Sequence, residues 1–275
     1  MQVILRQALI MFAGVTVLAA QPFSHDLLDA VVQAHVDSTG MVDYAGLKAH
    51  PASLAAYIDS LAQTSPHNQP ERFPDRSHEL AYWMNAYNAF VLWGVVEAYP
   101  VQSVKDIGVL SGFFNRHDFR TGGEDLTLNH IENEIIRPLY LEPRIHFAIN
   151  CGAFSCPPLA QRAYNAREIE AQLEAVTTRF ARDPQHVRLD EGGRLHLSKI
   201  LEWYGQDFVD WFPADRKPAA AKPTIVDFLR PYLPEETAEY LRQHPGVDIL
   251  YSDYDWTLND QLAVDQLTET EKDSR

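Results

Sequence analysis

Positive charge is scarce in this chain beside negative charge. Lys and Arg number 23 against 38 Asp and Glu, a formal net charge of −15, and no basic cluster interrupts the excess. Contacts from Lys and Arg to phosphate supply most of the affinity of nucleic-acid binding, so nucleic acid is not an expected partner. The acidity is spread along the chain and speaks for solubility and repulsion from anionic surfaces. Cysteine is scarcer still, with two residues, Cys151 and Cys156. Their spacing is not CxxC and no second ligand cluster accompanies them, so neither a metal nor a cofactor is expected. Past residue 20 no apolar run reaches the roughly 20 residues of a membrane helix, and there is no internal repeat or low-complexity block.

What is present begins with a leader. Met1 to Ala20 carries Arg6, an apolar core too short to span a bilayer comfortably, and small residues before Gln21, the pattern of a secretory signal peptide. The mature chain is therefore expected to be exported, periplasmic or extracellular, with no stable membrane insertion once the leader is removed. Residues 21–260 are read as a single globular domain and 261–275 as a polar, frayed tail.

Apolar periodicity predicts helices over Phe23–Val36, Pro51–Gln63 and Asn165–Asp183, and two short helices between Pro223 and Leu241. Pro66–Arg76 reads as a loop, and Val101–Gly123 as an aromatic loop that packs over the core or forms a lid. The strongest helix, Glu79–Ala98, is apolar nearly all round, as a core helix is, and Tyr99-Pro100 closes it. Leu126–Arg137 reads as a short strand and then a helix capped by Asn129 or Thr127, with Glu132 and Glu134 in its first turns, where the helix dipole favours carboxylates. Val187–Asp190 and Arg194–Leu197 form a hairpin, Ser198 caps a helix through Phe208, and Val247–Tyr251 is a late strand. The fold class is α+β: a buried central helix packed on an antiparallel sheet and surrounded by further helices.

The chemistry concentrates around the two cysteines. Ile145–Ile149 reads as a buried strand carrying His146, and Cys151 and Cys156 follow it in a Gly- and Pro-rich loop. Three states fit this spacing: a short disulfide that fixes loop shape, a thiol nucleophile beside its imidazole base, or two inert buried thiols. On an ideal strand residues 146 and 151 point to opposite faces, so the strand must break by Asn150 for them to meet. Asn85 and Asn88, three apart on the core helix, share a face. They either tie down backbone groups in the core or line the pocket that receives the cysteine loop.

Leu80-Ala-Tyr-Trp-Met-Asn-Ala-Tyr-Asn-Ala-Phe90, Tyr99-Pro100 with Ser103-Val104, Ile131-Glu132 with Ile136-Arg137, Arg144-Ile-His-Phe-Ala148 leading to Cys151-Gly-Ala and Ser155-Cys-Pro-Pro-Leu159, Leu197-Ser-Lys-Ile200 with Trp203-Tyr204 and Asp207-Phe208, and Tyr254-Asp-Trp256 with Leu258-Asn259 together resemble the DUF547 family, in order from about Val42 to Asn259. The resemblance implies kinship more than function, since that family has no settled activity. Asn133 stands where family members often carry His, and His130 lies on the same helical face. A wider likeness is to the papain and transglutaminase-like cysteine hydrolases, in which a buried helix packs on an antiparallel sheet. There the cysteine sits near the start of the helix, a place held here by Asn85 or its neighbours.

Two function classes follow. In a hydrolase or acyltransferase acting on an amide or thioester bond, Cys151 or Cys156 is the nucleophile, His146 the base, and Asn88 or Asp255 orients the imidazole, with the Gly152-Ala153 amides at the oxyanion. Asn85, Trp83, Glu132, Arg137, Arg144 and Trp256 are the binding candidates. In a non-catalytic exported binding module, the cysteines are bridged and Trp83, Tyr87, Phe113, Phe114, Tyr254 and Trp256 build the pocket for a small molecule or peptide. Thiol-disulfide exchange by a strained loop is a third role. The residues do not determine the oligomeric state.

Overall fold

The computed structural model describes residues 20–108, 112–212 and 222–262. Of the leader, only Ala20 falls among them, and the tail beyond Leu262 lies outside them. The fold is α+β, with mostly helical structure and two small sheets.

Helices α1 (Asp26–His35), α2 (Tyr44–Ala49) and α3 (Ala52–Gln63) lead to α4, Arg76–Ala98, which forms the centre of the larger core. The Asp75 side chain accepts from the His78 amide to start α4, and the extended backbone of Tyr99 before Pro100 ends it. Its residues are buried almost without interruption from Leu80 to Val96, as its all-round apolarity requires. The neighbours of α4 are α2, α3 and the segment after residue 127. Gly94 sits where a β-carbon would collide with the Phe113 ring, so that ring reaches the helix backbone.

The expected loop at Val101–Gly123 is more ordered than its composition suggests. It carries α5, Phe113–Arg116, and then β1, Asp118–Thr121, which pairs antiparallel with β2, Glu124–Thr127. Phe113 and Phe119 are core residues, so this segment is part of the interior rather than a cover over it. Thr127 Oγ1 accepts from the His130 amide at 3.1 Å and caps the next helix. That helix is irregular: α6 (Leu128–His130) passes into a π-helical turn, Ile131–Ile136, and returns to α-geometry in α7, Arg137–Tyr140.

Ile145–Ile149 is not a strand. Pro143–Phe147 is a 3₁₀ helix. With three residues per turn, successive side chains point about 120° apart, so three neighbours can serve three environments. Ile145 enters the α4 core, Phe147 enters a second core, and His146 faces a cavity. A strand offers only two directions.

The second core is built on Phe147 stacked against Phe180 and Phe208, with Phe228 edge-on to Phe208. It is framed by α8 (Ile169–Arg182), β3 (Val187–Leu189), β4 (Leu195–Leu197), α9 (Lys199–Trp203), α10 (Gly205–Asp210), α11 (Ile225–Leu229), α12 (Glu235–Gln243) and β5 (Ile249–Tyr251). The predicted hairpin is present, and β5 joins it parallel to β4, making a mixed sheet of order β3-β4-β5. This sheet belongs to the second core and not to the face of α4, where the sequence had suggested an antiparallel sheet.

Candidate functional site

The cysteine loop is held from within by Asn150. Its amide N–H donates to Asn88 Oδ1 at 2.8 Å, its Nδ2 donates to the Pro157 carbonyl at 2.8 Å, and its Oδ1 accepts from the Gly152 amide at 2.8 Å. Gly152 has φ of +81°, a region that suits glycine, and a β-carbon there would lie 2.9 Å from Val104 Cγ1. Cys151 and Cys156 are joined in a disulfide, and no free cysteine remains.

From outside, the chain end clamps the same loop. Phe154 and Ser155 donate to the carbonyls of Thr257 and Asp255, and Asn259 donates to that of Gly152. The clamp delivers Tyr254 to the disulfide, its hydroxyl 3.1 Å from Cys151 Sγ and 3.2 Å from Cys156 Sγ.

His146 is 2% exposed. Its Nε2 lies 2.8 Å from Asp207 Oδ2, and Arg137 grips the same carboxylate in two bonds, Nε to Oδ2 at 2.7 Å and Nη2 to Oδ1 at 2.9 Å. Burial raises the Asp207 carboxyl, but the hydrogen bonds from His146 and Arg137 outweigh it and hold the group below the usual carboxylate range. An ionised carboxylate only accepts, so Nε2 of His146 carries the proton of that bond. Nδ1 makes no hydrogen bond among the described residues. The imidazole stacks on Tyr204, centroids 4.0 Å apart.

His146 and the disulfide line one cavity of about 160 Å³. A void of about 150 Å³ holds a benzene-sized guest. Phe114, Trp203, Tyr254 and Trp256 supply its aromatic wall, and the three rings from the chain end and α9 touch one another at 4.6 to 6.0 Å between centroids. Glu132 stands in this wall, 8% exposed, within the π-helical turn. Wide turns of this kind are frequent at functional sites. Tyr87 donates to Glu132 Oε2 at 3.2 Å. Burial first, and then the Glu132 carboxylate, push Tyr87, Tyr204 and Tyr254 above the usual phenol range, so all three hydroxyls keep their protons at neutral pH.

The structure thus brings together Cys151, Cys156, His146, Glu132 and Trp256. It places the other predicted residues elsewhere. Asn88 Nδ2 donates to the Ala148 carbonyl, and Asn85 both donates to and accepts from the Tyr164 backbone, so both amides tie down main chain. Neither Asn88 nor the exposed Asp255, which accepts from Thr257, orients His146; Asp207 does. Trp83 is core, edge-on to Tyr82. Phe113 is likewise core, leaving Tyr87, Phe114, Tyr254 and Trp256 of the expected aromatic pocket. Arg144 is paired with Glu142 and Glu170 away from the cavity, and Arg137 acts behind it, through Asp207. Asn133, where the sequence departs from the family, accepts from Arg137 Nη1 at 2.6 Å.

Asp207 and Tyr204 were missed as site residues. Asp207 lies 61 positions from His146, and its one signal is its place in the family-resembling block with Trp203 and Tyr204. Among the described residues no group of three metal-binding side chains occurs, and no helix is long and apolar enough to cross a membrane.

No curated protein and no solved structure matches the chain. Residues 71–181 match the model of the family described as a protein of unknown function, DUF547. That stretch holds α4, the π-helical turn, His146 and both cysteines, and it stops before Asp207, Tyr204, Tyr254 and Trp256. Over that region the chain is similar to DUF547, and the sequence blocks that fall within it, from Leu80 to Leu159, are those the resemblance rested on there.

Proposed function

We propose that this is an exported small-molecule or peptide-binding protein whose ligand enters the aromatic cavity beside the disulfide. The observation that carries the reading is the Cys151–Cys156 bond itself, which builds both sulfurs into the cavity wall and leaves no thiolate to attack a substrate. A largely apolar cleft with a few fixed polar groups is the usual form of a ligand site. Export to a periplasmic or extracellular compartment belongs to the same proposal, because such compartments keep disulfides oxidised. Loss of Met1–Ala20 from the mature chain, read by intact mass, tests that part.

A second reading rests on the Asp207–His146 pair. Two-electron reduction of the disulfide by an external dithiol would release both thiols, with Cys151 in the wall that His146 shares. The oriented imidazole would then take the thiol proton for attack on an amide or thioester. This is the hydrolase of the papain-like comparison, with its nucleophile on a loop instead of the buried helix.

One experiment separates them. Alkylation of the folded protein, read by mass spectrometry with and without prior reduction, is run beside a thioester-hydrolysis assay. The binding reading expects no label before reduction and no hydrolysis in either state. Hydrolysis that appears on reduction and disappears in Cys151→Ser and His146→Ala would replace it with the hydrolase reading.

A further inference from the structure

Glu132 is a carboxylate with much of its hydrogen-bonding capacity unspent. It is more than nine-tenths buried and lines the cavity, yet among the described residues it forms no ion pair, and its hydrogen-bonding neighbours there are the hydroxyls of Tyr87, which donates to Oε2, and Tyr204. Arg137, whose charge Glu132 supports from a distance, is committed to Asp207. A buried carboxylate without a cation is costly unless something completes it. The surrounding wall suits a cation as well. Trp203, Tyr254 and Trp256 present aromatic faces and edges, and Lys105 Nζ already rests 4.1 Å from the centroid of the Trp256 ring. The net charge of −15 favours the approach of cations over anions.

We infer that the cavity recognises a small organic ammonium, its N–H groups donated to Glu132 and its apolar body laid against the Trp203, Tyr254 and Trp256 wall. The inference rests on the binding reading and names the ligand's chemical class. The tyrosine hydroxyls next to Glu132 keep their protons, and their oxygens remain able to accept from the same ammonium. The volume of about 160 Å³ fits an ammonium on a benzene-sized body and excludes a folded peptide chain, though the terminal amine of a peptide could enter.

The test uses benzylammonium, benzyl alcohol and benzoate, three probes of one shape and three charges, titrated calorimetrically into the oxidised full chain at low salt. Benzylammonium should bind about tenfold or more tightly than benzyl alcohol, as expected for a hydrogen bond to a charged partner, and benzoate should not bind. Glu132→Gln, which retains an oxygen for Tyr87, should erase the preference while near-ultraviolet circular dichroism stays unchanged. Equal binding of benzylammonium and benzyl alcohol to the unaltered protein would overturn the ammonium assignment and leave the binding reading standing. Preference that survives Glu132→Gln would also overturn it, and a failure of all three probes to bind would overturn both. The unaltered protein decides the question by itself if the variant does not fold.

Discussion

Asp207 shows how one residue sets the state of another. Its carboxylate fixes the His146 ring through Nε2, holds that nitrogen protonated, and leaves Nδ1 as the free acceptor. Asp207→Ala should remove this preference and strand the Arg137 guanidinium. Nitrogen NMR of the imidazole is expected to show a single tautomer in the unaltered protein and a mixture in the variant. The stability loss should be about 2 kcal/mol by denaturant unfolding, less than for a fully buried pair because the carboxylate is partly solvated. Little of this was legible beforehand. His146 and the cysteines announced themselves by type and spacing, whereas an aspartate beyond helix α8, a hairpin and α9 has no local pattern linking it to a distant imidazole.

At the scale of elements, the informative segments are those that break regular geometry. The 3₁₀ helix Pro143–Phe147 sends three consecutive side chains into two cores and a cavity, and the π-helical turn places Glu132 in the cavity wall. An apolar, β-branched run reads as a strand by composition, and only the presence of two cores on either side makes the tighter helix the better solution. Asn88 and Asn150 join α4 to the cysteine loop. Asn88→Ala leaves the Ala148 carbonyl short of one partner and the Asn150 amide with none, and is expected to cost about 2 kcal/mol or more, with the disulfide intact and probe binding in the cavity little changed. Unaltered stability on urea unfolding would show that water or a neighbour replaces the amide. Gly152→Ala, at positive φ and against Val104, should cost about 1 to 3 kcal/mol by the same measurement.

For the whole molecule, acid is the revealing perturbation. His186 is buried against Phe180, and burial lowers its pKa to about 4, with Asp183 opposing and Arg179 adding to the shift. The folded state therefore disfavours protonation, and stability is fully present above the ordinary histidine value near 6.5 and declines as pH falls from there to about 4. The loss is of order 3 kcal/mol at the lower limit. A second loss begins as pH falls through the ordinary carboxylate value near 3.8, where the unfolded chain takes up a proton that Asp207 still refuses in the fold, and it ends only when the folded group is itself protonated. Thermal unfolding from pH 7 to 3 should show the first stage and the onset of the second, and His186→Phe should diminish the first without abolishing it, because burial also lowers His25 to about 4. Both the 3₁₀ segment at Phe147 and helix α8 feed side chains into the two cores, and disruption at Phe147, which stacks on Phe180 and Phe208, should loosen the second core most.

The sequence by itself determined the fold class, the core helix and its C-terminal end, the hairpin, the family resemblance and the neighbourhood of the cysteines, because apolar period, proline and motif order are all local properties of the chain. Only the tertiary structure decided that the cysteines are bridged, that Asp207 is the partner of His146, that Asn85 and Asn88 serve the backbone, and that Glu132 faces an aromatic cavity without a cation. Each of these joins segments tens of residues apart. Such contacts follow from how the cores pack and from which polar groups burial leaves to be satisfied, and neither is written in the spacing of neighbouring residues.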